Sequence, residues 1–331
     1  MRPVPHTRTE PRMPLRCALL NDHQGVATTA ADWSPVLDRV ELTSFPDHFG
    51  TEDELAAALA DFDIVVTLRE RVPFPASLFA RLPRLRLLVA SGMRNSAIDL
   101  AAARAHGVTV CGTDSHSTPP VELTWALILG LARNLVAENT ALRTGGPWQS
   151  TVGADLHGRH LGVVGLGRIG SQVARIGAAF GMEVAAWSPN LTEERAAEHG
   201  VRLAPGLPEL LADSDVVTLH LKLGERSRGI IGARELALLK PTAYLVNTSR
   251  AALVDHDALL AALNEGRIAG AGLDVFPTEP LPADDPVRTT PRLLATPHLG
   301  YVTERTYATY YREAVEDIAA HLDGTPVRVL G

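Results

Sequence analysis

The sequence predicts an α/β chain of two doubly wound parallel-sheet domains, one inserted into the other. Three observations carry this expectation. Short β-branched runs alternate with Ala- and Leu-rich segments over residues 15–112, and the alternation restarts behind a glycine-rich turn near the middle of the chain. An amphipathic stretch and one more β-like run close the sequence after residue 300. Such alternation places helices on the faces of a parallel sheet, because each buried strand needs a crossover helix to reach the next.

Taken in order, residues 1–14 read as a loose tail, rich in Pro and Arg. The runs "RCALLND", "DIVVTLRERVPF", "RLRLLVASGMRN" and "GVTVCGT" then read as strands, with "TEDELAAALADF" as a helix between the first two. The stretch "TPPVELTWALILGLARNLVAENTALRTG" predicts one long helix, with prolines in its first turn as the start and Gly145 as the stop. Six strand candidates follow: "HLGVVGLG", "MEVAAWS", "DSDVVTLHL", "TAYLVNTS", "GAGLDVF" and "RLLATPHLG". The helix "YVTERTYATYYREAVEDIAAHL" precedes "GTPVRVLG", which reads as a strand returning to the first sheet. The expected boundaries are 15–112 plus 300–331 for one domain and 113–299 for the inserted one.

Composition narrows the class of function. With 331 residues and 46% hydrophobic content, each domain can bury its own core. The formal charge of −7 and the absence of long basic runs disfavour nucleic acid and anionic membranes as partners. The apolar runs "ELTWALILGLARNL" and "LGVVGLG" fall short of the roughly 20 residues needed to span a bilayer. Cys17 and Cys111 have no metal-type spacing, which fits a reducing compartment, and no secretory signal is evident, so the expected location is cytoplasmic. His157 and His160 lack a Cys or carboxylate partner in sequence, and no metal is assigned.

The most informative stretch is "HLGVVGLGRIGSQVARIGAAFGMEVAAWSPN", residues 160–190. Gly165, Gly167 and Gly170 form G-x-G-x-x-G between an apolar strand and a helix. The first permits a tight turn, the second lets backbone approach a pyrophosphate, and the third lets helix and strand pack closely. With Arg168 and Ile169 they open a helix N-terminus whose N–H groups and dipole favour phosphate. The expected ligand is NAD or NADP. An acid at the end of the second strand would hold the adenosine ribose and repel a 2′-phosphate. Here Ser188 and Asn190 stand there, so dual or weakly NADP-leaning use is expected.

Three later stretches add chemistry: "VNTSRAALVD", "AGLDVFPTEPLP" and "ATPHLGYVT". Each sets a charged or titratable residue just past a strand, at the carboxyl edge where open α/β sheets bind ligands. Arg250 offers a planar fork for a carboxylate, His298 can carry a proton near neutral pH, and Glu279 can hold that imidazole charged and oriented.

In the kind, order and spacing of these motifs, the sequence resembles the D-isomer-specific 2-hydroxyacid dehydrogenases, from about Cys17 to the C-terminus. The resemblance implies a Rossmann-type NAD(P) domain inserted into a flavodoxin-like substrate domain. It implies Arg250 as the substrate-binding arginine, Glu279 as the partner of the acid/base His298, and Asp274 near the nicotinamide carboxamide. By the same resemblance, "SGMRNSAID" matches a loop whose N–H groups at Met93 and Arg94 hold the substrate carboxylate, with Arg69 and Arg71 of "LRERVPF" as further contacts. Trp148 matches a segment that crosses to a partner subunit, so a homodimer is expected. The implied activity is hydride transfer between NAD(P)H and a small 2-keto or 2-hydroxy acid. The alternatives are an NAD(H)-sensing binding protein of the same fold, or an oxidant of another small anion such as phosphite or formate. Three positions depart from the family pattern: Ala251 after the arginine, "HLK" where "HLP" is common, and Ser188.

Overall fold

The computed structural model describes residues 13–331, so nearly all of the expected tail lies outside the described residues. The chain forms two compact units. The first takes residues up to Ser115 together with Glu304–Gly331, and the second takes His116–Thr303.

In the first unit, strands β1 (Leu15–Leu20), β2 (Val40–Phe45), β3 (Ile64–Thr67), β4 (Leu87–Ala90) and β5 (Thr109–Gly112) form a parallel sheet in the order β2-β1-β3-β4-β5. This is the flavodoxin-like order. The central strands read "IVVT" and "LLVA" and are buried throughout, as continuous apolar runs should be when helices cover both faces. Sequence pattern missed β2 because "VELTSF" sits at the edge and leaves polar residues half-buried or exposed.

The expected C-terminal strand does not form. "GTPVRVLG" makes a single antiparallel bridge, Val329 to Cys111, flanked by hydrogen bonds from Gly112 N–H to the Arg328 carbonyl and from Leu330 N–H to the Val110 carbonyl. Arg328 adopts φ +49°, a left-handed conformation that interrupts an extended run. Its guanidinium is anchored on the helix Glu304–Leu322, donating to Asp317, to Glu316 and to the Glu313 carbonyl. The segment is therefore fixed by its side chain as well as by the bridge.

In the second unit, β6 (His160–Val164), β7 (Glu183–Trp187), β8 (Arg202–Leu203), β9 (Val216–Leu219), β10 (Tyr244–Asn247), β11 (Gly270–Leu273) and β12 (Leu293–Ala295) form a second parallel sheet. Its order is β12-β11-β10-β9-β6-β7-β8, doubly wound about β6. The two-residue edge strand β8 carries too little pattern to be read from sequence.

The single long helix expected after residue 117 is two helices, Thr118–Ala132 and Leu135–Arg143, bent by 64°. Asn134 sits at φ +50° and ends the first helical run, because a left-handed residue cannot continue the ladder of i to i−4 bonds. The first helix is buried against β11, where a Cβ on Gly272 would lie 3.1 Å from Leu127 Cβ, so the glycines of "GAGL" admit the helix. The second helix buries none of its side chains. Among the described residues, no single helix is long and apolar enough to cross a membrane.

Candidate active site

The glycine turn leaves β6, an interior strand of the second sheet, with β9 on one side and β7 on the other. Gly165 has φ +103°, and a Cβ there would stand 2.8 Å from the His220 carbonyl carbon and the Leu221 nitrogen. A Cβ on Gly170 would run into the Gly165 carbonyl oxygen. At Gly167 the same construction meets nothing within 4 Å, so the backbone faces open space. No side chain caps the helix Gly170–Ala179 that follows; its Ser171 and Gln172 N–H groups donate to the Gly167 and Ile169 carbonyls, and its positive dipole end is what it offers an anion.

Beside this turn lies a cavity of about 820 Å³, ordinary for a nucleotide-sized ligand. Gly165, Gly167, Ser188 and Asn190 line it, as the sequence predicts, and so do Arg195, Lys222 and Arg226 from two further segments. Open backbone at Gly167, a helix N-terminus with no side-chain cap and hydrogen-bonding side chains past β7 fit a dinucleotide.

His220, also on this cavity, is not a proton carrier. Its ring nitrogen Nε2 lies 2.9 Å from Thr218 Oγ1, and desolvation of this half-buried ring pushes its pKa from an ordinary 6.5 down to about 4. A histidine held neutral contributes stability that is present above 6.5 and lost as pH falls towards 4. Thermal melts at pH 7 and pH 4.5 should show the parent chain losing up to about 2 kcal/mol more than His220→Gln over that window. Equal losses would mean that the ring is free to charge in the fold.

The acid–base residues are assembled by strand register. Asn247, Leu273 and Ala295 end β10, β11 and β12 side by side, paired Asn247 to Leu273 and Leu273 to Ala295. Arg250, Asp274 with Glu279, and His298 therefore leave one carboxyl edge on three adjacent strands. His298 Nδ1 lies 2.6 Å from Glu279 Oε2, while Glu279 Oε1 accepts the Phe276 N–H at 3.0 Å. Both carboxylate oxygens are thus fixed, and the imidazole is oriented through Nδ1. The Tyr301 ring meets the His298 ring edge-on, with centroids 5.7 Å apart.

Asp274 is fully buried, and its carboxylate organises this segment. Oδ1 accepts from Thr296 Oγ1 and the Leu299 N–H, both at 2.7 Å, and Oδ2 accepts from the Gly300 N–H at 2.8 Å. Burial raises its pKa, against the opposing pull of those donors and of His298. The three bonds bracket His298, which sits at φ +54°. A non-glycine residue held there costs of order 1–3 kcal/mol, and the clamp on either side holds it in place. Arg250 is half-buried with an extended backbone, its Nη1 donating to the Ser249 carbonyl and its own carbonyl accepting from Asn247 Nδ2. Thr248 Oγ1 lies 2.8 Å from Thr124 Oγ1, tying this turn to the helix Thr118–Ala132, a link that no local motif signals.

The other predicted residues belong to the first unit. Arg69 N–H donates to Ser91 Oγ, and the Arg69 carbonyl accepts from Asn95 Nδ2. The Arg69 guanidinium lies against Gly92, where a Cβ would stand 2.6 Å from Nη1, and it hydrogen-bonds Tyr310. Met93 and Arg94 are exposed beside it. Asn95, Tyr310 and the need for glycine at residue 92 were not read from sequence. Among the described residues, no group of three or more His, Cys, Asp or Glu side chains is placed to hold a metal ion, and His160 lies 3.3 Å from Glu183.

Residues 125–300 match the family described as "D-isomer specific 2-hydroxyacid dehydrogenase, NAD binding domain". The chain is 38% identical over 256 residues to a glyoxylate reductase of Aeropyrum pernix, covering 75% of this chain and 76% of the relative. It is 36% identical over 279 residues to a D-3-phosphoglycerate dehydrogenase of Bacillus subtilis, covering 83% of this chain and 52% of the relative. A crystal structure of a phosphoglycerate oxidoreductase from Vibrio cholerae superposes with a TM-score of 0.89 at 35% identity, over 94% of this chain and 99% of that one. The chain belongs to the D-isomer-specific 2-hydroxyacid dehydrogenases. It spans about half the length of the D-3-phosphoglycerate dehydrogenases of Bacillus subtilis and Methanocaldococcus jannaschii.

Proposed function

We propose that the chain is an NAD(P)-dependent oxidoreductase that interconverts a small 2-keto acid and its 2-hydroxy acid. The observation that carries this reading is the His298–Glu279 pair, one strand exit from Asp274 and two from Arg250, on the same sheet as the glycine turn. The bound nicotinamide supplies or accepts the hydride. Arg250 receives the carboxylate and keto oxygen of the acid. In reduction, protonated His298, held by Glu279, gives its proton from Nε2 to the carbonyl oxygen as that oxygen gains charge; in oxidation it takes the hydroxyl proton back. Stabilising the developing alkoxide is the largest effect asked of these residues. Met93, Arg94, Arg69 and Arg71 keep their assignment to the substrate as part of this proposal. Nicotinamide turnover with a panel of keto acids, with phosphite and formate alongside, tests the reading. Turnover of the two inorganic or one-carbon anions alone, or nucleotide binding with no turnover at all, would overturn it.

The cofactor reading follows from Ser188, Pro189 and Asn190, which place no carboxylate at the β7 exit. Steady-state kcat/KM for NADH and NADPH with one good keto acid should agree within about 100-fold, or about 2.7 kcal/mol. A larger preference for NADH would show that another feature rejects the phosphate.

A second copy of the chain is proposed as the partner. Leu135, Val136, Leu142, Trp148 and Val152 are all exposed, Trp148 by 79%, on and just after a helix that buries nothing within its own chain. Light scattering should report two chains per particle, and Trp148→Glu should shift the mass towards one. A monomeric parent chain would end this reading. With Cys17 and Cys111 both free and buried, the cytoplasm is the proposed setting.

A further inference from the structure

We propose that Asn247 is a positioning residue for Arg250: its buried side-chain amide sets where the guanidinium points. The inference rests on the reading of Arg250 above and names the group that acts through it.

Asn247 is the last residue of β10 and is 1% exposed. Its backbone belongs to the sheet, where it pairs with Leu273 and its carbonyl accepts the Asp274 N–H at 3.0 Å. Its side chain runs forward onto the turn that carries Arg250. Oδ1 accepts the Ser249 N–H at 3.0 Å, and Nδ2 donates to the Arg250 carbonyl at 2.9 Å. The partners decide which way the amide faces, because an N–H can meet only its oxygen and a carbonyl only its NH2. A third bond closes the figure, from Arg250 Nη1 to the Ser249 carbonyl at 2.8 Å. Asn247 therefore clamps the peptide units on both sides of the Ser249–Arg250 link, and the carbonyl of that link is where the guanidinium is anchored.

The two halves of the amide have different consequences. Accepting from the N–H two residues on is common to short polar side chains at turns, and a serine hydroxyl can do it too. Donating to the residue 250 carbonyl as well takes a group that accepts at one end and donates at the other. The Leu253 N–H also reaches that carbonyl, at 3.2 Å, so losing the amide donor loosens the link without leaving the carbonyl unsatisfied. Rotation of the link would swing the anchor and the guanidinium with it. Misplacing a substrate-binding group by about 1 Å can cost about 10²-fold in rate.

Steady-state kinetics with one good keto acid separate the two halves. Asn247→Ala removes both bonds, whereas Asn247→Ser keeps a hydroxyl for the Ser249 N–H and removes the donor to Arg250. Both should raise the keto-acid KM by about 10-fold, with kcat falling less and NADH affinity staying near that of the parent chain. The effect should pass through Arg250: in an Arg250→Lys chain, adding Asn247→Ser should lower kcat/KM by less than about 2-fold. Parent kinetics in Asn247→Ser would show that only the turn matters and would overturn the inference, leaving the reading of Arg250 standing. So would a serine effect undiminished in the Arg250→Lys chain, or a serine variant that loses NADH binding along with turnover. Melting temperatures report the folding of each variant, and if Asn247→Ala does not fold, Asn247→Ser decides. No turnover by the parent chain, or unchanged kinetics in Arg250→Lys, would overturn both this inference and the reading of Arg250.

Discussion

Replacing His298 by alanine should lower kcat by about 10²- to 10⁴-fold, the usual worth of a positioned general acid. The expectation is specific because the ring is held so closely. Nδ1 is committed to Glu279 at 2.6 Å, so Nε2 is the nitrogen that delivers or takes the proton. Nucleotide affinity should stay near that of the parent chain, since the glycine turn leaves a different strand. Glu279→Gln is the companion measurement. It keeps a hydrogen-bonding group on His298 but removes the carboxylate's negative charge, so kcat should fall while the substrate KM changes less than kcat. Near-normal turnover in His298→Ala would remove the acid–base assignment altogether.

Arg250→Lys should lower kcat/KM by about 10- to 100-fold, mostly through a higher keto-acid KM. Lysine keeps the positive charge and loses the fork that can bond two oxygens at once. It also loses the internal anchor seen here, where Nη1 donates to the Ser249 carbonyl and holds the side chain along its own turn. A flexible ammonium has neither the planarity nor that tether. Unchanged kinetics would place carboxylate binding elsewhere.

Much of the second unit could be read from sequence because its signals are local. Gly165, Gly167 and Gly170 each meet the steric environment that their motif implies. The pair His298–Glu279 was also accessible, since parallel strands bring residues just past their ends to one edge. The losses have a common physical origin. The helix break at Asn134 depends on one backbone conformation inside a strongly helical pattern. The edge strands β2 and β8 are too polar or too short to show a period, and the last segment satisfies its backbone through one bridge and an arginine rather than a ladder. That Lys222 and Arg226 line one cavity with Ser188 and Asn190 became visible only when folding brought the segments after β9 and β7 together.

The order of the units along the chain bears on how the molecule is made. The second unit is continuous, His116–Thr303, and every strand of its sheet emerges from the ribosome before the chain returns to the first unit. The first unit is not continuous. Its five strands precede the second unit, whereas the helix Glu304–Leu322 that supplies Tyr310, Tyr311 and Ile318 to its interior follows it, along with the Val329 bridge to Cys111. Contacts across so long a stretch of intervening chain raise the contact order and so slow folding, although the closure entropy itself grows only slowly with length. The first unit therefore completes its interior only after the whole of the second unit has been synthesised.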